Sequence, residues 1–89
     1  MLFVALFSVK AGTEEERLMR RTEWDIPEGI RLISEYCLLT PHPECIFVFE
    51  AENFQSMMQI TGAWNDVYDI DIFPAAKVGE LLKEAKSGV

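Results

Sequence analysis

Val67-Tyr68-Asp69-Ile70-Asp71-Ile72-Phe73-Pro74 is the stretch that decides the fold of this chain. Within it, apolar residues at positions 68, 70 and 72 alternate with Asp69 and Asp71. Only a strand with one buried face turns this alternation into a clean separation of apolar from charged side chains. Because strands usually avoid aspartate, two carboxylates on one strand indicate an edge position or a cavity.

The composition limits both the size of the core and the classes of partner. The 89 residues are enough for one domain, and 49% of them are hydrophobic. A chain this short has little interior, so we expect apolar surface to remain for a second chain. The formal net charge is -7, from 15 acidic and 8 basic residues, and no stretch gathers Lys and Arg into a stripe. This balance argues against nucleic acid or an anionic membrane as the main partner.

The apolar opening MLFVALFSV, residues 1–9, is predicted to be a buried strand. It lacks a basic segment before the apolar run and a small-residue cleavage site after it, and it is too short to span a bilayer. Since the chain also has only two cysteines, we expect a cytoplasmic protein with reduced thiols.

The remaining patterns give a complete order of elements. Two prolines in Thr40-Pro41-His42-Pro43 force a turn between two strands, and Pro74 ends the last strand. Apolar residues at positions 78, 81, 82 and 85 have helical spacing and predict a short final helix. The predicted strands cover 2–9, 30–38, 45–50 and 67–74, and the predicted helices cover 14–23, 51–65 and 75–89.

Two of the helices carry more detailed expectations. Thr13 and Glu16 form a capping box at the start of the first helix, with Leu18 and Met19 as its apolar stripe and its three arginines outside. In the second helix, one continuous face is predicted to face the core. Its members are Phe54, Met57, Met58, Thr61 and Trp64.

This order predicts an α+β fold, a ferredoxin-like βαββαβ with a four-stranded antiparallel sheet plus a C-terminal helix. Residues 1–74 form the core of the single domain (1–89), and 75–89 form the added helix. The doubly apolar first and third strands should be central, and the charged second and fourth strands should be edges. Two helices cover only one sheet face, so we expect a homodimer through the open face. The alternative is that the final helix covers part of that face.

The chain resembles a family of small uncharacterised domains, a domain-of-unknown-function family within the dimeric α+β-barrel group. The resemblance rests on Met1-Leu2-Phe3, Pro27-Glu28-Gly29, Trp64-Asn65-Asp66 and the strand at 67–74. It implies a ferredoxin-like dimer and no established activity. Relatives in the wider group include small isomerases, cofactor-independent monooxygenases and haem-degrading enzymes, so the fold does not decide the chemistry.

Asp69 and Asp71 are the first candidate site. Residues two apart on a strand project to one face, about 7 Å apart at the backbone, so the two carboxylates could share a cation or place a catalytic base in a cavity. The structural alternative is that they protect an edge strand from pairing with other chains.

Cys37, His42 and Cys45 are the second candidate site. In a hairpin centred on Pro41 the two cysteines stand opposite each other, with His42 in the turn. They could bind a soft metal such as zinc, with Glu44 or a second copy completing the ligands, or form a redox disulfide. The spacing fits no established zinc pattern, so ordinary reduced thiols are the other reading.

Two further groups complete the candidates. Trp24, Tyr36 and Trp64, with Met57 and Met58, could line an apolar ligand cavity, although residues at helical spacing are usually core. Arg31 and Glu35 project to the same strand face. If that face points into the dimer, Arg31 could bind a substrate carboxylate and Glu35 could act as a base; the alternative is a solvated surface pair on an edge.

The sequence therefore predicts a homodimeric binding module for a small apolar ligand or a protein. The alternative is a small cofactor-independent enzyme for an apolar or aromatic carboxylic compound, using Glu35, Asp69, Asp71 or His42 as acid or base. A third hypothesis is metal binding through the two cysteines and His42. No phosphate-binding glycine loop is present, so no nucleotide cofactor is expected. The enzyme hypothesis requires a closed cavity of a few hundred Å3 that at least one of those carboxylates enters.

Overall fold

The computed structural model describes residues 1–88 and has an α+β fold with the predicted order of elements. Val89, the last residue of the predicted C-terminal helix, lies outside the described residues. The elements are β1 (Leu2–Val9), α1 (Glu14–Glu23), β2 (Ile30–Cys37), β3 (Cys45–Ala51), α2 (Phe54–Trp64), β4 (Tyr68–Pro74) and α3 (Val78–Ser87).

The four strands form one antiparallel sheet in the order β2-β3-β1-β4. β1 and β3, the two strands that are apolar on both faces, are central, and β2 and β4 are the edges. This confirms the ferredoxin-like prediction. The alternation in β4 has the predicted effect, because Tyr68 is buried whereas Asp69 and Asp71 are exposed.

α1 and α2 cover one face of the sheet, where the core lies. Ala5 and Phe7 of β1 and Phe47 and Phe49 of β3 are buried there. They pack with a core that includes Ile60 and Trp64 from α2 and Tyr68 from β4.

Residues of the opposite parity form the other face, which we call the open face. Strand register places cross-strand neighbours on the same side. No residue of the open face belongs to the buried core. Its apolar members are Leu2, Val4, Leu6, Tyr36, Ile46, Val48 and Phe73.

α1 faces the sheet with its arginines, so the predicted orientation of this helix is wrong. Leu18 and Met19 are 71% and 57% exposed, whereas Arg17 is 7% exposed. The guanidinium groups of Arg17, Arg20 and Arg21 lie 5.6, 5.5 and 5.8 Å from the ring centres of Tyr68, Trp64 and Trp24. Aromatic faces attract cations, and the long arginine side chains place apolar methylenes against the core.

The predicted capping box is also wrong. The Thr13 hydroxyl donates to the Lys10 carbonyl at 2.7 Å and makes no cap hydrogen bond to α1. A cap that the sequence analysis missed lies at α2, where the Asn53 side chain accepts from the Ser56 N–H at 2.8 Å. Asn53 therefore sets the start of α2 at Phe54, three residues later than predicted.

The face that α2 buries consists of Ser56, Ile60 and Trp64. Met57 and Trp64 of the predicted stripe do pack on the core, but Phe54 and Met58 are 68% and 53% exposed. The Ser56 hydroxyl donates to the Glu28 carbonyl at 3.2 Å, so a polar contact with the preceding loop helps to set the rotation of the helix.

A β-bulge in β2 separates two residues that were expected on one face. The register with β3 shifts between Leu32 and Ser34. One extra residue reverses the alternation beyond it. Arg31 therefore lies on the open face, paired with Glu50, and Glu35 lies under the helices. The predicted placement of Arg31 and Glu35 on one face is wrong.

α3 extends away from the rest of the chain. All its residues are exposed, so this helix does not cover its own sheet. The molecule measures 52 × 28 × 17 Å along its principal axes. None of the helices within residues 1–88 is both long and apolar enough to cross a membrane.

Candidate functional site

A cleft of about 760 Å3 opens between α1 and the adjoining ends of three strands. We call it the α1 cleft. Arginine side chains of α1 reach across it to Glu44 and Glu35. Its lining residues are Gly12, Glu14, Glu15, Arg17, Leu18, Arg21, Glu35, Cys37, Glu44, Cys45 and Tyr68.

One side of the α1 cleft is a chain of hydrogen bonds that starts at Arg17. Its Nη2 donates to Glu44 Oε2 at 3.2 Å, and the Tyr68 hydroxyl donates to Glu44 Oε1 at 3.1 Å. Cys45 Sγ lies 3.8 Å from the Tyr68 hydroxyl. Four side chains from α1, β3, β4 and the turn before β3 are thus linked.

The opposite side is a bidentate ion pair. Arg21 Nε and Nη2 donate to the two oxygens of Glu35 at 2.9 and 2.8 Å. Hydrogen bonding to Glu35 raises the pKa of Arg21. This geometry fixes Glu35 and leaves its charge neutralised in the resting cleft.

A smaller cavity of about 40 Å3 continues from the α1 cleft toward the core. It shares Arg21, Glu35, Cys45 and Tyr68 with the larger cleft. The rest of its lining is aromatic and comes from Phe7, Phe47 and Trp64. The cleft is therefore polar near α1 and apolar at its floor.

Two buried N–H donors that belong to this lining have no partner among residues 1–88, namely Arg17 Nε and Trp64 Nε1. Their residues are only 7% and 2% exposed. A buried donor without an acceptor costs about 1–3 kcal/mol, so such groups usually face water or a ligand. Both missing partners are acceptors.

Burial makes Cys45 and Tyr68 weaker acids than the free side chains. It raises the pKa of Cys45 to about 11 and is the main cause of the raised pKa of Tyr68, to which the charge on Cys45 adds. At neutral pH the thiol is therefore not a nucleophile, and the phenol is a hydrogen-bond donor.

Three of the predicted site residues line the α1 cleft, namely Glu35, Cys37 and Cys45. Trp64 lines the inner cavity, and Trp24 packs on Trp64 at a centroid distance of 5.6 Å. Met57 packs against the core from α2.

The other predicted site residues lie elsewhere. Asp69, Asp71, Arg31 and Tyr36 are exposed residues of the open face, and His42 is exposed in the turn before β3. Tyr36 lies on the opposite side of the sheet from Trp24 and Trp64, because the bulge in β2 reverses its orientation.

The two cysteines are cross-strand partners, as predicted, and both are free thiols. Within residues 1–88, no three side chains of His, Cys, Asp or Glu are arranged to hold a metal ion. His42 does not join Cys37 and Cys45, so the geometry that the metal hypothesis needs is not formed.

The sequence analysis missed Arg17, Arg21 and Tyr68 as site residues and considered Glu44 only as a metal ligand. A signal for the arginines was present. Positions 17, 20 and 21 have the spacing i, i+3 and i+4, which places three side chains on one helical face. That face is the one that α1 turns to the sheet.

Comparison with known proteins gives a family and no activity. No curated protein and no solved structure matches the chain significantly. A family described as "Domain of unknown function (DUF3303)" matches residues 1–89. The match confirms the resemblance to an uncharacterised family, and the α+β fold agrees with it. The chain belongs to the DUF3303 family.

Proposed function

We propose that this protein is a homodimeric, cytoplasmic small-ligand-binding protein whose ligand occupies the α1 cleft. The observation that carries the proposal is the pair of buried donors, Arg17 Nε and Trp64 Nε1, without acceptors. Their residues line two adjoining cavities. A single occupant that reaches both could satisfy both donors.

The lining defines the chemical class of that occupant. The aromatic floor favours a flat apolar body in the α1 cleft above it. Because the inner cavity is only about 40 Å3, an oxygen acceptor on that body, rather than the ring system, would enter it. Four glutamates and two arginines line the cleft, so its formal charge does not favour an anion over a neutral molecule. The ligand is therefore an aromatic compound that carries carbonyl or carboxylate oxygens.

One observation favours the enzymatic alternative. Among the four predicted acid or base residues, Glu35 alone lines the α1 cleft, which has the required volume but is open to solvent rather than closed. Its ion pair with Arg21 would have to open before it could accept a proton, because both of its oxygens are engaged. Binding without chemistry needs no such rearrangement, so we favour it.

Two observations support the assembly and the compartment. The open face leaves a group of aliphatic and aromatic side chains without cover, which a second copy would bury. Cys37 and Cys45 face each other across two strands and are free thiols, a state that a reducing compartment maintains.

Three naphthalene compounds of matched size test the ligand class: naphthalene, 2-acetylnaphthalene and 2-naphthoate. We expect the two compounds with oxygen acceptors to bind at least about tenfold more tightly, because they satisfy a buried donor. An NMR titration would follow the indole N–H signal of Trp64, which should shift downfield only with the acceptor compounds.

Two variants that each introduce a phenylalanine show where the probes bind. Cys37→Phe places a ring in the cleft wall and should weaken binding at least about tenfold, since its ring occupies ligand volume. His42→Phe alters an exposed turn residue outside the lining and should leave binding unchanged. Equal affinity for all three probes, or binding that Cys37→Phe does not weaken, would contradict the proposal.

A further inference from the structure

α3 is an amphipathic helix without a partner. Val78, Leu81 and Leu82 are 68%, 53% and 65% exposed. With Ala85 they have the spacing i, i+3, i+4 and i+7, which gathers them into one stripe. The rest of the helix consists of four charged residues together with Gly79 and Ser87. A short helix in water gains most of its stability from burying such a stripe, so α3 requires a surface to pack on.

The open face has its own uncovered apolar groups, and the most exposed ones lie at its edges. Tyr36 on β2 is 57% exposed and Phe73 on β4 is 52% exposed. Ile33, the unpaired bulge residue of the β2 edge, is 44% exposed. Their neighbours on the central strands are more covered. If the open faces of two copies packed on each other, the contact would bury the central strands. The apolar side chains at the β2 edge would stay exposed to water.

The area of the sheet face is too small for a stable dimer contact, which indicates that α3 takes part in the contact between copies. Four strands of 7–8 residues, about 4.8 Å apart and about 25 Å long, present a planar face of roughly 350–500 Å2. A stable interface buries about 800 Å2 of accessible surface on each partner. The sheet face alone gives a small interface, and α3 adds a second apolar contact region on each copy.

We infer that α3 is an exchanged arm: in the dimer, α3 of each copy packs on the β2 edge of the other copy's open face, against Ile33 and Tyr36. This inference rests on the proposed homodimer. Phe73 on β4 continues the apolar surface from the sheet toward α3, since only Pro74 and residues 75–77 separate them. The occupant of the exposed helix stripe is thus a second copy of this chain.

Leu82→Lys and Glu84→Lys form a matched pair of variants on α3. Each adds a lysine to a chain of net charge -7, so neither increases the repulsion between copies. Leu82→Lys removes a stripe residue from both arms and should raise the dimer dissociation constant at least about a hundredfold. Glu84→Lys lies off the stripe and should leave the constant unchanged. Analytical ultracentrifugation measures both.

The location of the arm is tested by NMR on a dimer mixed from isotope-labelled and unlabelled protein. Filtered spectra should show contacts between Leu81 and Leu82 methyl groups of one copy and Ile33 or Tyr36 of the other. An unchanged dissociation constant in Leu82→Lys, or α3 contacts confined to one chain, would overturn the arm and leave the open-face dimer standing. A wild-type chain that is monomeric at millimolar concentration would overturn both.

Discussion

Arg17 is a single residue that links three parts of the molecule: α1, β4 and the turn before β3. It is 7% exposed, it lies over the ring of Tyr68, and it donates to Glu44, which also accepts from Tyr68. A buried ion pair gains little over apolar residues of the same shape, but removing one partner leaves an uncompensated charge. Arg17 therefore supports the fold mainly by keeping Glu44 neutralised.

Arg17→Ala should lower the free energy of unfolding by about 2–3 kcal/mol, because Glu44 loses its counter-ion in a partly buried site. Lys10→Ala removes a more exposed cation, 3.9 Å from Asp69, and should change stability by less than about 1 kcal/mol. Urea denaturation measures both values. Adding Glu44→Gln to Arg17→Ala should recover part of the loss; no recovery would show that packing, rather than charge, is the cause.

The two cysteines should differ strongly in reactivity, although they are cross-strand partners. Burial raises the pKa of Cys45 from 9.0 to about 11, so its thiolate fraction at pH 8 is about a hundredfold lower than that of an unperturbed thiol. Iodoacetamide should therefore label exposed Cys37 first, as peptide mass spectrometry would show. Rapid labelling of Cys45 at pH 8 in folded protein would contradict the assigned burial.

The raised pKa of Cys45 also predicts that the folded protein loses stability at alkaline pH. The folded state favours the protonated thiol, so this contribution is complete below pH 9 and declines as the pH rises toward 11. Tyr68 acts in the same direction because its pKa is also raised, first of all by burial. The midpoint of thermal unfolding should fall over this range, and Cys45→Ser should reduce the fall. An identical fall in that variant would exclude the thiol.

The buried faces of the strands were predicted better than those of the helices, and the reason is physical. A strand alternates with a period of two, so Asp69 and Asp71 mark one face of β4 directly. The face of α1 could not be found from hydrophobicity, because its arginines pack on aromatic rings of β4 and α2, which accept arginine as readily as leucine. The bulge at Leu32–Ser34 carries no proline or glycine to mark it, and it moved Glu35 into the cleft.

Gly29 and Gly62 should respond to alanine with opposite signs. Gly29 has φ +86°, and an added Cβ would lie 2.3 Å from Ser56 Oγ, which holds the start of α2 to the preceding loop. Gly29→Ala should cost about 2 kcal/mol through backbone strain and a lost hydrogen bond. Gly62 is exposed within α2 with no atom near an added Cβ, so Gly62→Ala should add about 0.5–1 kcal/mol. Thermal or urea unfolding checks both, and a neutral Gly29→Ala would show that the loop adapts.

For the whole molecule, the order of elements was enough to predict the ferredoxin-like topology, because a strand that is apolar on both faces can only be central. The α1 cleft could not be predicted in this way. Its walls are formed by arginines of α1 that pair with Glu44 and Glu35, contacts between residues far apart in the sequence. Candidate residues on β2 and β3 were therefore identified, whereas their partners on α1 were not.

The middle of the open face is where a single charge can test the proposed dimer. Val48 lies on central strand β3, opposite Val4 on β1, at the middle of this face. In a single chain a lysine at position 48 can extend its charge into water, so Val48→Lys should fold. In the proposed dimer the same charge would be buried without a partner in both copies, and the dissociation constant should rise at least about a hundredfold.

Gln59→Lys, on the exposed side of α2, is the matched control and should leave the dimer intact. Light scattering after gel filtration would distinguish a particle near twice the 10.2 kDa chain mass from a single chain. If Val48→Lys remained as tight a dimer as the control, the copies would have to meet elsewhere, with the exposed Leu18 and Met19 of α1 as the next surface to test.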